Sequence, residues 1–354
     1  MILFSKKEWL IVGSIFCLSF LLAFISRNSR LNSDYALAAN GTAEILLYER
    51  TSLESLSEIL DSLDVKVDQE ELLWAGRMLG WRYFRPGRYE INGNESYPVL
   101  LANMARGIQD PASVTIVPGT EINRFTAHVS NQLFTDSASV AAVFSDTSEV
   151  VNELNLTPEQ LFSRMLPNTY QIYWTTPAEN VIRRIHSEFN NKIAVKYNDQ
   201  IEESDFTLNE ILTLASIVEW EARFGEEKPK ISGLYINRLN RNMRLQADPT
   251  VLYALGERRR ILLEDYQFDH PYNTYLYSGL PPGPITNPDE ESILAVLEPE
   301  DHDYLFMVAT PTGGHTFTRT FEEHLEASRE WRRWIQEQYR IKREREREAV
   351  EMSD

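Results

Sequence analysis

The sequence is short of thiols, of positive charge and of long apolar runs. Cys17 is the one cysteine among 354 residues. The chain therefore has no internal disulfide, and no thiol outside the amino-terminal segment to bind a metal or act as nucleophile; this scarcity fits an oxidising compartment. Lysine and arginine number 35 against 53 aspartates and glutamates, a formal net charge of -18. That balance argues against a nucleic-acid footprint, so no nucleic-acid partner is expected. The six histidines (His128, His186, His270, His302, His315 and His324) are scattered without ligand spacing, so no metal is expected. A Gly-x-Ser-x-Gly elbow, a phosphate-binding glycine loop and a dinucleotide fingerprint are all missing, and no cofactor is implied. Hydrophobic residues at 43% and charged residues at 25% describe a folded body, neither a disordered chain nor a polytopic membrane protein.

The single apolar run is Trp9 to Ile25, uncharged, with Lys6 and Lys7 before it and Arg27 and Arg30 after it. At 1.5 Å per residue it spans roughly 25 Å, the short end of the membrane-crossing range. Ala36-Leu37-Ala38 resembles a cleavage site but lies far beyond Ile25, so a retained anchor is expected. The basic residues are nearly balanced across the run and barely orient it. No comparable run follows, so the body lies on one side of the membrane.

The patterning predicts an α+β chain. Residues 1–28 form the transmembrane anchor and 29–42 a tether. Residues 43–117 make a small mixed domain: strands at 43–48 and 114–117, helices at 52–63, 68–79 and 97–107. Residues 118–160 read as a helical accessory region. Residues 161–335 form a larger domain with helices at 177–197, 208–224 and 228–241, a compact turn at Leu166–Tyr170, and long ordered loops from 243 to 288. Strands at 304–309 and 317–320 flank the Gly313-Gly314 turn. A charged helix and tail, 336–354, closes the chain as a solvated, ion-paired face.

Glu219 is the candidate for chemistry. It ends the run Ile211, Leu212, Leu214, Ala215, Ile217, Val218, and a carboxyl group in an apolar wall has its pKa raised toward the range useful to a general acid. Glu221, two residues on, is expected on a nearly opposite face, away from a shared site. Ser216, one turn earlier, lies within reach of the acid. Asp248 precedes Pro-Thr, a pattern that caps a helix beginning near Pro249 or else supplies a second carboxylate. Gln246, Tyr272, Asn273, Tyr275, Asn287 and His315 are the further candidates, and one acid with several amides, tyrosines and a loop-rich cleft suits recognition and cleavage of a carbohydrate.

These segments resemble the YceG-like endolytic murein transglycosylases. The resemblance rests on Leu166-Pro167-Asn168-Thr169-Tyr170, on Ala215 through Ala222, on Asn237-Arg238-Leu239 with Met243 through Val251, on Pro271 through Tyr275, on Gly279 through Pro288 and on Gly313-Gly314-His315-Thr316-Phe317. It implies a single-pass inner-membrane protein, inserted through residues 9–25, with its body in the periplasm or extracytoplasmic space. It also implies a LysM-like module at 43–117, a catalytic domain at 161–335, and Glu219 as the catalytic residue. The activity implied is cleavage of the bond between N-acetylmuramic acid and N-acetylglucosamine in nascent peptidoglycan strands, leaving 1,6-anhydromuramoyl ends and terminating strand elongation beside cell-wall synthases. Departures from the family pattern fall in loops: Phe162 through Leu166, Asn168, Ala309 through Thr312 and Leu325. The competing expectation is a non-catalytic membrane-anchored scaffold that binds glycan.

Overall fold

The computed structural model describes residues 5–32, 37–38, 43–63, 65–91 and 95–351. The protein is mixed α and β and divides into two compact units. The first takes the chain up to Val114 with 131–135 and 171–176; the second takes Thr115–Ser130, Asp136–Tyr170 and the chain from Pro177 onward.

In the first unit, strand Ala43–Leu47 pairs antiparallel with Gly87–Ile91, from Ala43 opposite Ile91 to Leu47 opposite Gly87. Alternation buries Ile45 and Leu47 on one strand and Tyr89 and Ile91 on the other. Helices Leu53–Ser62, Gln69–Leu79 and Tyr97–Arg106 pack against them. The boundaries have local causes. Ser52 and Asp68 accept backbone N–H groups three residues on, and Gly80 and Gly107 close their helices at φ 78° and 75°. Tyr48, Phe134 and Trp174 form an aromatic trio with centroids 4.8 to 5.7 Å apart.

Helix Lys6–Leu31 is long and apolar enough to cross a membrane, and its large apolar side chains are exposed. It extends past the expected anchor boundary at 28, because Leu31 is buried and Arg30 both pairs with Glu71 at 2.6 Å and lies over Trp74 at 4.0 Å. Of the expected tether, 33–36 and 39–42 lie outside the described residues, as does Ala36 of the cleavage-like triplet; Leu37–Ala38 pairs with Lys66–Val67.

The second unit is organised by helix Leu208–Glu221. Thr207 and Glu210 cap it reciprocally, and every residue from Ile211 to Val218 is buried. Helices Pro158–Ser163, Lys228–Asn240, Asp248–Leu255 and Glu290–Leu297 surround it. The hairpin Phe306–Ala309 with His315–Thr318 and the helix Phe321–Glu351 complete the unit. Three expectations need correcting. Asn168–Tyr173 is a strand beside Pro111–Ile116, not a turn. The 177–197 helix passes into a π-helical turn at Asn190–Val195. The 208–224 helix stops at Glu221, because Ala222 turns extended at ψ 117°.

Helix Lys228–Asn240 meets the 300–302 loop at Gly233. A Cβ there would stand 2.5 Å from the Glu300 carbonyl and 2.9 Å from His302 Nε2. Gly233→Ala is expected to lower stability by about 1–3 kcal/mol despite alanine's better helix propensity. Denaturant unfolding of the detergent-solubilised protein checks this, and a stabilised variant would contradict the packing.

Candidate active site

The early stop of helix Leu208–Glu221 brings its last-turn carboxylates to one cavity. This space of about 780 Å³ is edged by Pro118, Gly119, Glu219, Glu221, Asp248 and Arg258 to Arg260. Glu221 and Asp248 also line a neighbouring cavity of about 320 Å³, with Tyr235, Arg238, Gln246, Tyr275 and His315. Glu219 and Glu221 both border this space, while their carboxyl groups take separate partners, so the expectation that they face apart holds for the carboxyl groups and not for the residues as a whole. At the end of a helix, two residues of one turn can border the same space.

Their environments differ. Glu219 Oε2 accepts hydrogen bonds from Ser292 Oγ at 2.6 Å, the Asp289 amide at 3.2 Å and Lys228 Nζ at 3.3 Å. Lys228 also reaches both Asp289 oxygens, at 2.8 and 2.7 Å, while Asp289 caps helix Glu290–Leu297 through the Ser292 amide. Burial raises the Glu219 pKa, opposed by the Ser292 bond. Burial pushes Asp289 the same way, but the bonds from Lys228 and the Ser292 amide overcome it and hold the group ionised. Glu219 thus occupies a closed cluster joining three helices.

Glu221 is half-buried, and Tyr235 Oη donates to its Oε1 at 2.8 Å. Burial pushes its pKa up to about 7; the charge of Asp248 adds to this, and the Tyr235 bond and Arg238 oppose it. The negative end of the helix acts in the same direction. Arg238 is fixed by the Leu305 and Leu245 carbonyls, each at 2.6 Å.

Asp248 is the first residue of its helix. Ala247 occupies the cap position, and no side chain caps the turn. The Asp248 carboxylate instead accepts the Tyr275 hydroxyl at 2.6 Å and the Tyr266 hydroxyl at 3.3 Å, which corrects the capping role. Gln246 reaches the smaller cavity from a left-handed backbone, φ 51°. His315 borders the same cavity and is held by Glu227, through its ring Nδ1 at 2.9 Å and its amide at 2.8 Å.

Four expected site residues serve the scaffold. Ser216 does not reach an acid; it donates to the Thr213 carbonyl and accepts the Ile285 amide. Asn273 is wholly buried, bonding the Tyr266 and Phe268 carbonyls and the Tyr275 amide. Asn287, also buried, ties together Val117, Met165 and Thr120. Tyr272 packs on Tyr253 at 4.7 Å and lines neither cavity bordered by Glu221. The sequence reading set Glu221 aside as facing away from Glu219 and did not single out Tyr235 and Tyr266, which bond Glu221 and Asp248. The doublet of acids flanking Trp220 was the available signal for the first; nothing local marks the two tyrosines.

Residues 46–330 match the YceG-like family. An endolytic murein transglycosylase of Bacillus subtilis is 28% identical over 307 residues, covering 82% of this chain and 85% of that protein. A protein of the same name from Streptococcus pneumoniae is 34% identical over 165 residues, 45% of this chain but only 30% of its own length. The crystal structure of a yceG-like protein from Listeria monocytogenes is similar at a TM-score of 0.59 and 30% identity, covering 80% of this chain and 97% of that one.

Lys228 and Glu219 have side chains only 7% and 9% exposed, so removing the cation strands the buried Glu219 carboxylate and leaves the partly exposed Asp289 without its cation. Lys228→Met is expected to cost about 3–5 kcal/mol of stability. Denaturant unfolding measures it; a loss below about 1 kcal/mol would show that the cluster is not the junction described.

Proposed function

The chain belongs to the YceG-like family, and on that premise we propose that it is an endolytic murein transglycosylase whose general acid is Glu221. The observation that carries the assignment is a half-buried carboxyl, its pKa near 7, beside a second carboxylate on the same cavity. Glu219 is already engaged by three donors and holds the helix end in place.

In this reading protonated Glu221 donates to the glycosidic oxygen as the bond from that oxygen to the muramoyl C1 breaks. The resulting carboxylate takes the proton of the muramoyl C6 hydroxyl while O6 closes onto C1. Glu221 is thereby reprotonated, the 1,6-anhydro ring forms, and no water is consumed. Because the nucleophile belongs to the sugar, its effective concentration is high. Asp248, steadied by Tyr275 and Tyr266, supplies negative charge opposite the developing oxocarbenium ion. Gln246, Tyr275 and His315 contact the sugars. Residues 43–117 serve as the LysM-like glycan module and 161–335 as the catalytic domain. Residues 9–25 anchor an extracytoplasmic body, and the cuts terminate strands near the synthases.

The test is digestion of uncrosslinked murein strands by the full-length protein in detergent, with mass analysis of the ends. Anhydro ends, lighter by one water than reducing ends, are expected from the native protein. Glu221→Gln should slow their release at least ~100-fold. Glu219→Gln, where it folds, should stay within roughly tenfold of native, because it removes no proton donor from the reaction. Reducing ends would mean hydrolysis with Asp248 as the second carboxylate. No cleavage at all would leave the glycan-binding scaffold, and full activity in Glu221→Gln would return the acid role to Glu219.

A further inference from the structure

The two glycines before His315 answer to different constraints. Gly313 sits at φ 93° in the hairpin turn, and a Cβ there would meet the Arg223 guanidinium. At Gly314 a Cβ would stand 2.6 Å from Glu227 Oε1 and 3.3 Å from its carboxyl carbon. The bare backbone lets that carboxyl group come down onto the hairpin. It lands on the next residue with both oxygens: Oε1 accepts the His315 amide at 2.8 Å, and Oε2 takes the ring Nδ1 at 2.9 Å.

Glu227 ends the short turn Gly225–Glu227 and directly precedes Lys228, so the start of helix Lys228–Asn240 fixes its place. The side chains of His315 and Glu227 are only 12% and 17% exposed. A carboxylate accepts and does not donate, so the imidazole proton lies on Nδ1 and Nε2 keeps its lone pair. Among the described residues Nε2 has no hydrogen-bond partner, and His315 borders the cavity of about 320 Å³ that Glu221 and Asp248 also line. The two tyrosine hydroxyls of that cavity are already spent on its wall, Tyr235 on Glu221 and Tyr275 on Asp248. An incoming group thus meets acceptors, which suits the O–H and N–H groups of a sugar.

We infer that Glu227 is a positioning residue: it holds His315 in the Nδ1–H form, so that Nε2 accepts a hydrogen bond from a hydroxyl or N-acetyl N–H of the bound strand. The identity of that donor rests on the cleavage reading; the place of the ring proton does not. His315 holds the substrate alike before and during bond breaking, and takes no part in the proton transfers of Glu221. Glu227→Gln inverts the ring without removing the staple. The His315 amide can only donate, so the new side-chain oxygen stays on it, and the NH2 group faces Nδ1 and drives the proton to Nε2.

Two measurements on the full-length protein in detergent test this. Ring-nitrogen NMR of isotope-labelled histidine at about pH 8, with His315→Ala identifying the signal, should show a protonated Nδ1 and a bare Nε2. In Glu227→Gln the two should exchange. A proton on Nε2 of the native protein, alone or together with one on Nδ1, overturns the proposal. On uncrosslinked strands, Glu227→Gln is expected to raise KM about tenfold with kcat within roughly threefold of native. His315→Ala should raise KM about as much, and adding Glu227→Gln to it should change KM less than about twofold. Additive effects, a fall in kcat at constant KM, or a KM unchanged in either single variant overturn the proposal. If Glu227→Gln does not fold, the native spectrum and His315→Ala still decide. A native protein that cuts no strand sinks the cleavage reading alone; the same comparison is then made with Kd for the strands in place of KM.

Discussion

The ammonium group of Lys228 is the point on which the site hangs. It sits at the start of one helix, reaches the carboxylate that caps a second, and meets Glu219 in the last turn of a third. One buried cation against two carboxylates would be expensive without further donors, and here Ser292 and the Asp289 amide supply them. The result is directional, which apolar packing alone is not. It sets where helix Leu208–Glu221 ends and hence where the next acid emerges.

From that fixed end the difference between two nearby glutamates follows. Glu219 enters a closed set of donors, while Glu221 emerges beside Asp248 with one tyrosine as its partner. Both are raised by burial, but Glu219 is bound by three donors whereas Glu221, raised to about 7, keeps a single tyrosine partner at the edge of the cavity. Separating carboxylates by environment is a general route to acid chemistry at neutral pH.

Part of this was legible in the residues. The apolar run from Ile211 to Val218 and the Thr207–Glu210 pair announce a buried helix and its start. Its end depends on how Ala222 leaves the helix, which tertiary packing decides, so the choice between Glu219 and Glu221 could not be read from spacing. Asn273 and Asn287 show a second limit. An amide that fixes a loop and an amide that binds a sugar offer the same donor and acceptor, and only burial separates them. Asp248 before proline looks like a cap because sequence shows its neighbour but not Tyr275, 27 positions away. Gln246 and His315 fall on the cavity, and the reason lies in long-range contacts that no local pattern carries.

The central claim, that Glu221 delivers the proton, is tested most directly by the pH dependence of kcat/KM on uncrosslinked strands at constant ionic strength. An acid raised to about 7 is protonated below that pH and lost above it, so activity should hold on the acidic side and fall as pH rises through about 7. The account predicts that this alkaline limb persists in Glu219→Gln. A limb that disappears in Glu219→Gln, or one centred near the ordinary carboxylate range, would contradict it.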